Sequence, residues 1–293
     1  MKEDLYRAVE VQEHLIPSSA VSQTFSVKVF QPVSRSDGSE RFPVVYATDA
    51  DEVFGALACL SRSLHDSGET PRFILVGIGY EGACIALRSR DLFTHEIRKH
   101  LDAEIRAETP LAGTAADLSI ITRTTDANDF LRFIREELMP FVNSHYPTVA
   151  GDDSFVGYSA GATFGLFALF SQPETFRRYI LGSPCTSYNS TNFAIDLAQR
   201  FIESGRTAAA DVFLSVGELE EFKRGTERFD FVSGLYRLVK FLNQASLPGL
   251  HLTFKVFPSE THATAWPPSF VHGLKTVFGP VDAVPYWPEF LKR

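Results

Sequence analysis

A serine between two glycines is the feature of the sequence that points most directly to chemistry. Residues 157–161 read Gly-Tyr-Ser-Ala-Gly, a Gly-x-Ser-x-Gly pattern centred on Ser159. A short apolar segment precedes it and a run rich in Phe and Leu follows it, as a turn from strand to helix requires. Such a turn lifts the hydroxyl above the edge of a sheet and puts the Ala160 amide at a helix N-terminus, where it can bind an oxyanion. The pattern predicts that Ser159 is an acyl-transfer nucleophile.

The base that such a serine needs is sought among the eight histidines. A serine hydroxyl is a weak nucleophile, so it requires a base that is oriented by a third group. With this kind of turn, the acid and then the histidine follow the serine, each after a later strand. His262 follows the predicted strand 252–257 by a short loop, whereas His251 lies at the opposite end of that strand and His272 inside the closing helix. Position therefore selects His262.

The acid is expected after the predicted strand 212–216. Glu218, Glu220 and Glu221 all lie there, and the segment has no aspartate. A glutamate can hold the imidazole tautomer and stabilise the imidazolium as an aspartate does. Spacing does not choose among the three, and a solvated charge cluster would look the same.

A second oxyanion donor is expected in the loop after the third strand. The predicted strand 44–46 is followed by Ala-Thr-Asp-Ala-Asp. A backbone amide at Ala50 or Asp51 is the candidate. The alternative is an Asp-rich turn without a catalytic role.

The elements that would position these groups alternate between strand and helix. Residues 22–31 alternate polar and apolar side chains, which is typical of a half-buried antiparallel strand, while 44–46 and 73–78 are continuous apolar runs of the kind buried in a parallel sheet. Residues 126–142 read as a helix capped by Asp126 or Asn128. Strands are predicted at 154–156, 179–181, 212–216 and 252–257, and helices at 162–171, 193–203, 231–244 and 270–278. The order predicts an α/β fold with a mostly parallel sheet and antiparallel strands at its N-terminal edge.

Composition limits the class of protein. The 293 residues are 44% hydrophobic and 22% charged, with a formal charge of −8, so the chain can bury a full core. The negative balance argues against nucleic acid or an anionic membrane as the main partner. Connections between elements do not divide the chain into blocks of unlike composition. We therefore predict one domain, 1–293, with residues 222–230 as a candidate contribution to a cap.

The cysteines and the N-terminus bear on location. Cys59, Cys84 and Cys185 are too few and too scattered for a disulfide framework or a cysteine-based zinc site, and their odd number suits a reducing compartment. The first residues lead into no apolar segment of a signal peptide, and no stretch approaches the length of a membrane span. A cytoplasmic protein is expected. The sequence leaves its oligomeric state open.

Several segments, in order along nearly the whole chain, resemble one family. They are Tyr46-Ala-Thr-Asp49, Val76-Gly-Ile-Gly-Tyr80, Arg88-Ser-Arg-Asp91, the helix at 130–138, Gly157-Tyr-Ser-Ala-Gly161, Ser183-Pro184, Val216-Gly-Glu-Leu-Glu220, and His262 with Trp266-Pro267. The chain resembles the esterase D-like "putative esterase" α/β-hydrolases, most closely the branch of bacterial trilactone-siderophore esterases. This resemblance implies an α/β-hydrolase fold with helices on both faces of the sheet, and a serine esterase that needs no metal or organic cofactor.

The resemblance also selects among the glutamates, because the family's acid lies three residues after the glycine that ends its strand. That position is Glu220 here. Ala50 stands where the family usually has glycine, and Cys185-Thr-Ser-Tyr188 stands where it often has Ser-Leu-Trp-Trp. Both departures concern the substrate rather than the chemistry.

Substrate recognition stays open at this point. Arg88, Arg90 and Tyr158 are candidate substrate-binding residues, and the alternative for the arginines is an ion pair with Asp91 that fastens the loop after the fourth strand. Substrates in view are siderophore trilactones, feruloyl or acetyl sugar esters and small thioesters. The alternative outside the enzymes is a binding module, a protein that keeps the hydrolase fold but only binds a ligand. The presence of Ser, Glu and His in the order of a triad argues against it.

Overall fold

A computed structural model describes most of the chain. The described residues are 10–34, 38–81, 84–98, 125–188, 192–222 and 229–279. Of the candidate cap at 222–230, residues 223–228 lie outside the described residues.

Eight strands and eight named helices form the described part of the chain. The strands are β1 (Gln12–Ser18), β2 (Gln23–Phe30), β3 (Phe42–Ala47), β4 (Ile74–Tyr80), β5 (Thr148–Tyr158), β6 (Arg178–Gly182), β7 (Ala210–Gly217) and β8 (Leu250–Phe257). The helices are α1 (Ala50–Ser67), α2 (Cys84–Leu92), α3 (Ala127–Phe133), α4 (Met139–His145), α5 (Ala160–Ser171), α6 (Phe193–Glu203), α7 (Phe231–Ala245) and α8 (Trp266–Phe278). A π-helical turn, Ile134–Leu138, joins α3 to α4, and a 3₁₀ turn, Glu218–Glu221, follows β7.

All eight strands belong to one sheet in the order β1-β2-β4-β3-β5-β6-β7-β8. β2 runs antiparallel to both of its neighbours, and every other pair is parallel. The carboxyl ends of β3, β5, β6, β7 and β8 therefore meet at one edge, which is where an α/β sheet places its site. The predicted parallel sheet with antiparallel pairing at its N-terminal edge is confirmed.

Helices cover both faces of the sheet. One apolar core packs side chains of α2 to α7 against it, and a second packs those of α1 and α8 against the opposite face. β4 is buried along its whole length because it has strands on both sides and helices on both faces.

Several boundaries differ from the sequence-based prediction. α1 occupies a segment for which the sequence analysis predicted no helix, beginning within the predicted loop at 47–51. β5 is much longer than the predicted strand 154–156. Of the two candidate capping residues, Asp126 is the N-cap of α3. Its side chain accepts a hydrogen bond from the Asn128 amide at 2.9 Å, while Asn128 lies inside the helix.

The buried carboxyl of Asp153 on β5 makes stability depend on pH. Burial raises the pKa of Asp153 to about 6, and the charge of Asp152 adds to that effect. The folded protein therefore keeps this proton to a higher pH than the unfolded chain does, so ionised Asp153 costs stability above pH 6. That cost disappears as the pH falls through the window from 6 to 4.

We expect Asp153→Asn to raise the free energy of unfolding at pH 8 by up to about 3 kcal/mol, since the pKa lies about two units above its ordinary value and one unit corresponds to about 1.4 kcal/mol. The gain should vanish near pH 4, as measured by urea denaturation at both pH values. Asp152→Asn is the control: it relieves a little of the cost at Asp153 but also breaks the ion pair with Arg178, so no comparable gain is expected. An equal gain at both pH values would contradict this account.

Candidate active site

Ser159 lies in the turn between β5 and α5 with a backbone conformation that side chains rarely adopt, φ 56° and ψ −119°. The flanking glycines are required by space. A Cβ on Gly157 would collide with the backbone of Gly161, and one on Gly161 would collide with the side chain of Thr48. Strained backbone of this kind persists where the surrounding structure demands it, as at active sites.

The amides around Ser159 divide into two groups. The Ser159 amide donates to the carbonyl of Gly182 at 2.9 Å, which fastens the turn to β6. The Ala160 amide opens α5, and in the first turn of a helix no preceding helical carbonyl is available to accept it. That amide has the position predicted for an oxyanion donor.

His262 contacts the buried carboxylate of Glu220. The Nδ1 of His262 lies 2.6 Å from Oε2 of Glu220, whose side chain is fully buried. The other oxygen, Oε1, accepts hydrogen bonds from the Gly217 amide at 2.7 Å and the Ser183 hydroxyl at 2.6 Å. An ionised carboxylate only accepts, so Nδ1 carries the proton and Nε2 is the basic nitrogen of the neutral ring.

The three glutamates after β7 have three different partners. Oε2 of Glu218 accepts from the amide of Ser259, which ties down the loop before His262. Oε2 of Glu221 accepts from two amides in the first turn of α7. Among the three, the structure brings Glu220 to His262.

Tyr158 and Ser183 donate hydrogen bonds to the two members of the His262–Glu220 pair. The Tyr158 hydroxyl donates to the carbonyl of His262 at 2.7 Å, and its ring lies 5.2 Å from the imidazole. Burial raises the pKa of Tyr158, and the charge of Glu220 raises it further, so the phenol stays protonated. No role was predicted for Ser183. Its position directly after β6 could have indicated that it lies at the carboxyl edge of the sheet, beside the turn of Ser159.

Arg88 lies at the mouth of the site, paired with Asp49. Its Nε and Nη2 donate to the two carboxylate oxygens of Asp49 at 2.5 and 3.1 Å, and Nη2 also reaches the Tyr158 carbonyl at 3.5 Å. Burial acts to lower the pKa of Arg88, but the Asp49 carboxylate outweighs it and the pKa is raised. Arg88 thus joins the loop after β3 to the end of β5.

Arg90 has a different environment. It is fully buried, donates to both oxygens of Asp91 at 2.6 and 2.8 Å, and reaches Gln23. It is not among the residues that line the cavity described below. This placement favours the ion pair over contact with a substrate.

The loop after β3 turns directly into α1. Asp49 is in the left-handed region, with φ 61°, and Ala50 is the first residue of α1. The Asp51 carboxylate accepts from the Tyr80 amide at 2.6 Å and from Lys28 at 2.9 Å. Thr48 and Asp49 line the cavity, and Ala50 and Asp51 are not among its lining residues. The assignment of the second oxyanion amide to Ala50 or Asp51 stays a prediction.

Ser159 and His262 line one cavity of about 440 Å³. The other lining residues come from the β3–α1 loop, α1, α2, β5 and the start of α8: Thr48, Asp49, Glu52, Val53, Leu57, Arg88, Ser89, Val156, Gly157, Tyr158, Ala263, Trp266, Ser269 and Phe270. The predicted nucleophile and the predicted base therefore line one cavity at the carboxyl edge of the sheet.

Neither a metal site nor a membrane-spanning helix is found among the described residues. No three His, Cys, Asp or Glu side chains are grouped there so that they could hold a metal ion. In the same part of the chain, no helix has both the length and the apolar character that a membrane span needs.

The fold is that of the α/β-hydrolases, and the site carries the side chains that the sequence predicted for an esterase. The model of the family described as "Putative esterase" matches residues 117–277, more than half of the chain. The chain therefore belongs to the putative esterase family, and the resemblance noted in the sequence is confirmed.

Characterised relatives point to the same branch. The chain is 27% identical over 262 residues to the ferri-bacillibactin esterase BesA of Bacillus subtilis, a match that spans 86% of this chain and 84% of that protein. It is 35% identical over 101 residues to the siderophore enterobactin esterase of Emericella nidulans, which covers 33% of each chain. These relatives are esterases, as this chain is.

Solved structures show the same fold. An IroE-like serine hydrolase from Shewanella oneidensis superimposes with a TM-score of 0.74 at 22% identity, over 92% of this chain and 80% of that one. The siderophore hydrolase EstB from Aspergillus nidulans does so with a TM-score of 0.73 at 21% identity, over 94% and 97%. At 21–22% identity, the structural similarity shows only that the fold is shared.

Proposed function

We propose that the chain hydrolyses carboxylic esters through an acyl-enzyme, with Ser159 as nucleophile, His262 as base and Glu220 as the acid of the triad. The observation that carries this proposal is the 2.6 Å contact between His262 and Glu220 at a cavity that Ser159 also lines. A binding module would need neither a buried carboxylate paired with the histidine nor a strained serine at the same cavity.

The mechanism has two steps. Ser159 attacks the ester carbonyl while Nε2 of His262 takes its proton, and the Ala160 amide with an amide near Ala50 or Asp51 stabilises the oxyanion. His262 then protonates the leaving alcohol, and in the second step it activates the water that releases the acid. Glu220 holds the imidazole in the required tautomer and stabilises its charged form.

The substrate is a small-molecule ester, and siderophore esters are the first natural candidates. Two relatives carry that substrate in their names, as a ferri-bacillibactin esterase and a siderophore enterobactin esterase. We also propose a cytoplasmic location. The three scattered cysteines support it, because disulfides are rare in the cytoplasm.

Covalent labelling tests the proposal directly. A fluorophosphonate probe should modify the wild-type protein once, at Ser159, as read by peptide mass spectrometry, because only an activated serine is phosphonylated. The same protein should hydrolyse p-nitrophenyl acetate. Absence of both labelling and hydrolysis, with p-nitrophenyl esters and with siderophore trilactones, would leave the binding module as the better account.

A further inference from the structure

The cavity at Ser159 has two chemically different ends. Charged side chains stand at its mouth, where Arg88 pairs with Asp49 and the exposed Glu52 lies on the first turn of α1. Away from the mouth, the lining is apolar apart from Ser269. Its apolar members are Val53, Leu57, Val156, Trp266 and Phe270.

This apolar end is a groove between two helices. α1 and α8 lie on the same face of the sheet, and Leu57, Val156 and Phe270 belong to one buried apolar cluster there, with Val53 and Trp266 packed against it. Val156, on β5, also lines the groove and lies three residues before Ser159 in the sequence. The span from Asp49 to Leu57 corresponds to about 12 Å along α1 at 1.5 Å per residue. The groove thus leads away from the nucleophile over a length that suits a chain of several carbons.

The polar side chain at this end of the groove already has partners. Ser269 donates to the Ala265 carbonyl at 2.7 Å and lies 2.8 Å from the hydroxyl of Ser215. A polar ligand group placed here would lose its water without gaining a hydrogen bond in return, which costs free energy. An apolar group would instead be removed from water at no such cost.

We propose that the groove between α1 and α8 binds the apolar chain of an ester substrate, with the reacting carbonyl at Ser159. This inference rests on the proposed function and adds a substrate class: esters with an unbranched apolar arm of several carbons. Each methylene buried is worth about 0.8 kcal/mol, or about fourfold in kcat/KM. Four added methylenes then give a rise of up to about 200-fold.

The test is a pair of ester series on the full-length protein. One series lengthens the acyl chain of p-nitrophenyl esters from acetate to octanoate, and the other lengthens the alcohol of acetate esters. The kcat/KM should rise along at least one series. The series that responds identifies which arm of the ester occupies the groove.

Two variants and a matched control locate the effect. Val53→Phe narrows the groove and should lower the ratio of hexanoate to acetate kcat/KM at least tenfold, or the corresponding ratio in the alcohol series. Leu57→Ala should shift the optimum to longer chains. Leu64→Ala is the control, because Leu64 is another buried leucine of α1 but is not among the lining residues. It should keep the wild-type chain-length profile.

The outcomes separate this inference from the proposed function. Acetate hydrolysis with a flat profile in both series, or a profile that Val53→Phe leaves unchanged, would overturn the groove while the esterase assignment stands. A shift caused equally by Leu64→Ala would also overturn it. Failure of the wild-type protein to hydrolyse any ester would instead contradict the proposed function itself.

Discussion

Replacing Ser159 with alanine is expected to lower kcat/KM for p-nitrophenyl acetate by about 10⁴- to 10⁶-fold. The residual activity is what the oxyanion donors and substrate binding provide without the nucleophile. The activity falls because the acyl-enzyme cannot form without the hydroxyl, and because the water that would replace it is not held against the base. Stopped assays with purified variant, together with loss of fluorophosphonate labelling, measure the effect.

The control for this substitution is a buried serine outside the site. Ser61 lies in α1 with its hydroxyl bonded to the Leu57 carbonyl at 2.8 Å, outside the cavity lining. Ser61→Ala removes the same atom and should keep activity within a few-fold of wild type. Ser159→Ala should stay folded by circular dichroism, because the change leaves the backbone and its tight glycines in place. A Ser159→Ala protein that retained a tenth of wild-type activity would refute the assignment of the nucleophile.

Glu220→Gln is the second substitution with a large expected effect, a fall in kcat of about 10⁴-fold with KM little changed. The surroundings dictate how the new amide would sit. The Gly217 amide donates to the Oε1 position, so the side-chain oxygen of glutamine belongs there. Its NH₂ group then faces Nδ1 of His262 and donates to it. The proton of the ring moves to Nε2, and the nitrogen that should accept the proton of Ser159 can no longer do so.

Glu218 and Glu221 supply matched controls from the same turn. Glu218→Gln and Glu221→Gln remove the same charge a few residues away, from carboxylates whose partners are backbone amides of the β8–α8 loop and of α7. Each should retain activity within about tenfold, because neither contacts the imidazole. Equal losses in all three variants would mean that the negative charge of the turn matters and that no single carboxylate orients His262. The comparison uses steady-state kinetics and thermal unfolding on the same preparations.

The sequence predicted the strand–turn–helix at Ser159 well because its requirements are mainly local. Strand, glycine, serine, glycine and helix all lie within a few residues, and the collision that excludes a side chain at Gly157 involves that segment itself, whereas the one at Gly161 is with Thr48 of the β3–α1 loop. The parallel sheet was predicted for a similar reason. Continuous apolar runs such as 73–78 record burial on both faces, whichever strands lie beside them.

α1 was not predicted, and the groove depends on it. Asp49, before its first residue, makes no side-chain capping hydrogen bond and adopts a left-handed conformation that the sequence does not announce. The helix is stabilised by its apolar stripe against the sheet, which includes Phe54, Leu57 and Leu64, so tertiary packing rather than local propensity sustains it.

Contacts between distant parts of the chain set the limit of the sequence analysis. Order and spacing were enough to predict that Ser159 and His262 lie at one edge of the sheet, because each follows a recognisable strand. They left three glutamates open, and family resemblance alone favoured Glu220. The folded chain brings Glu220 to a histidine 42 residues later and turns its neighbours toward other amides. It likewise buries Arg90 and leaves Arg88 at the mouth of the cavity. Local sterics and burial periodicity are written in neighbouring residues, whereas the partner of a carboxylate depends on how separate strands and loops meet at one edge of the sheet.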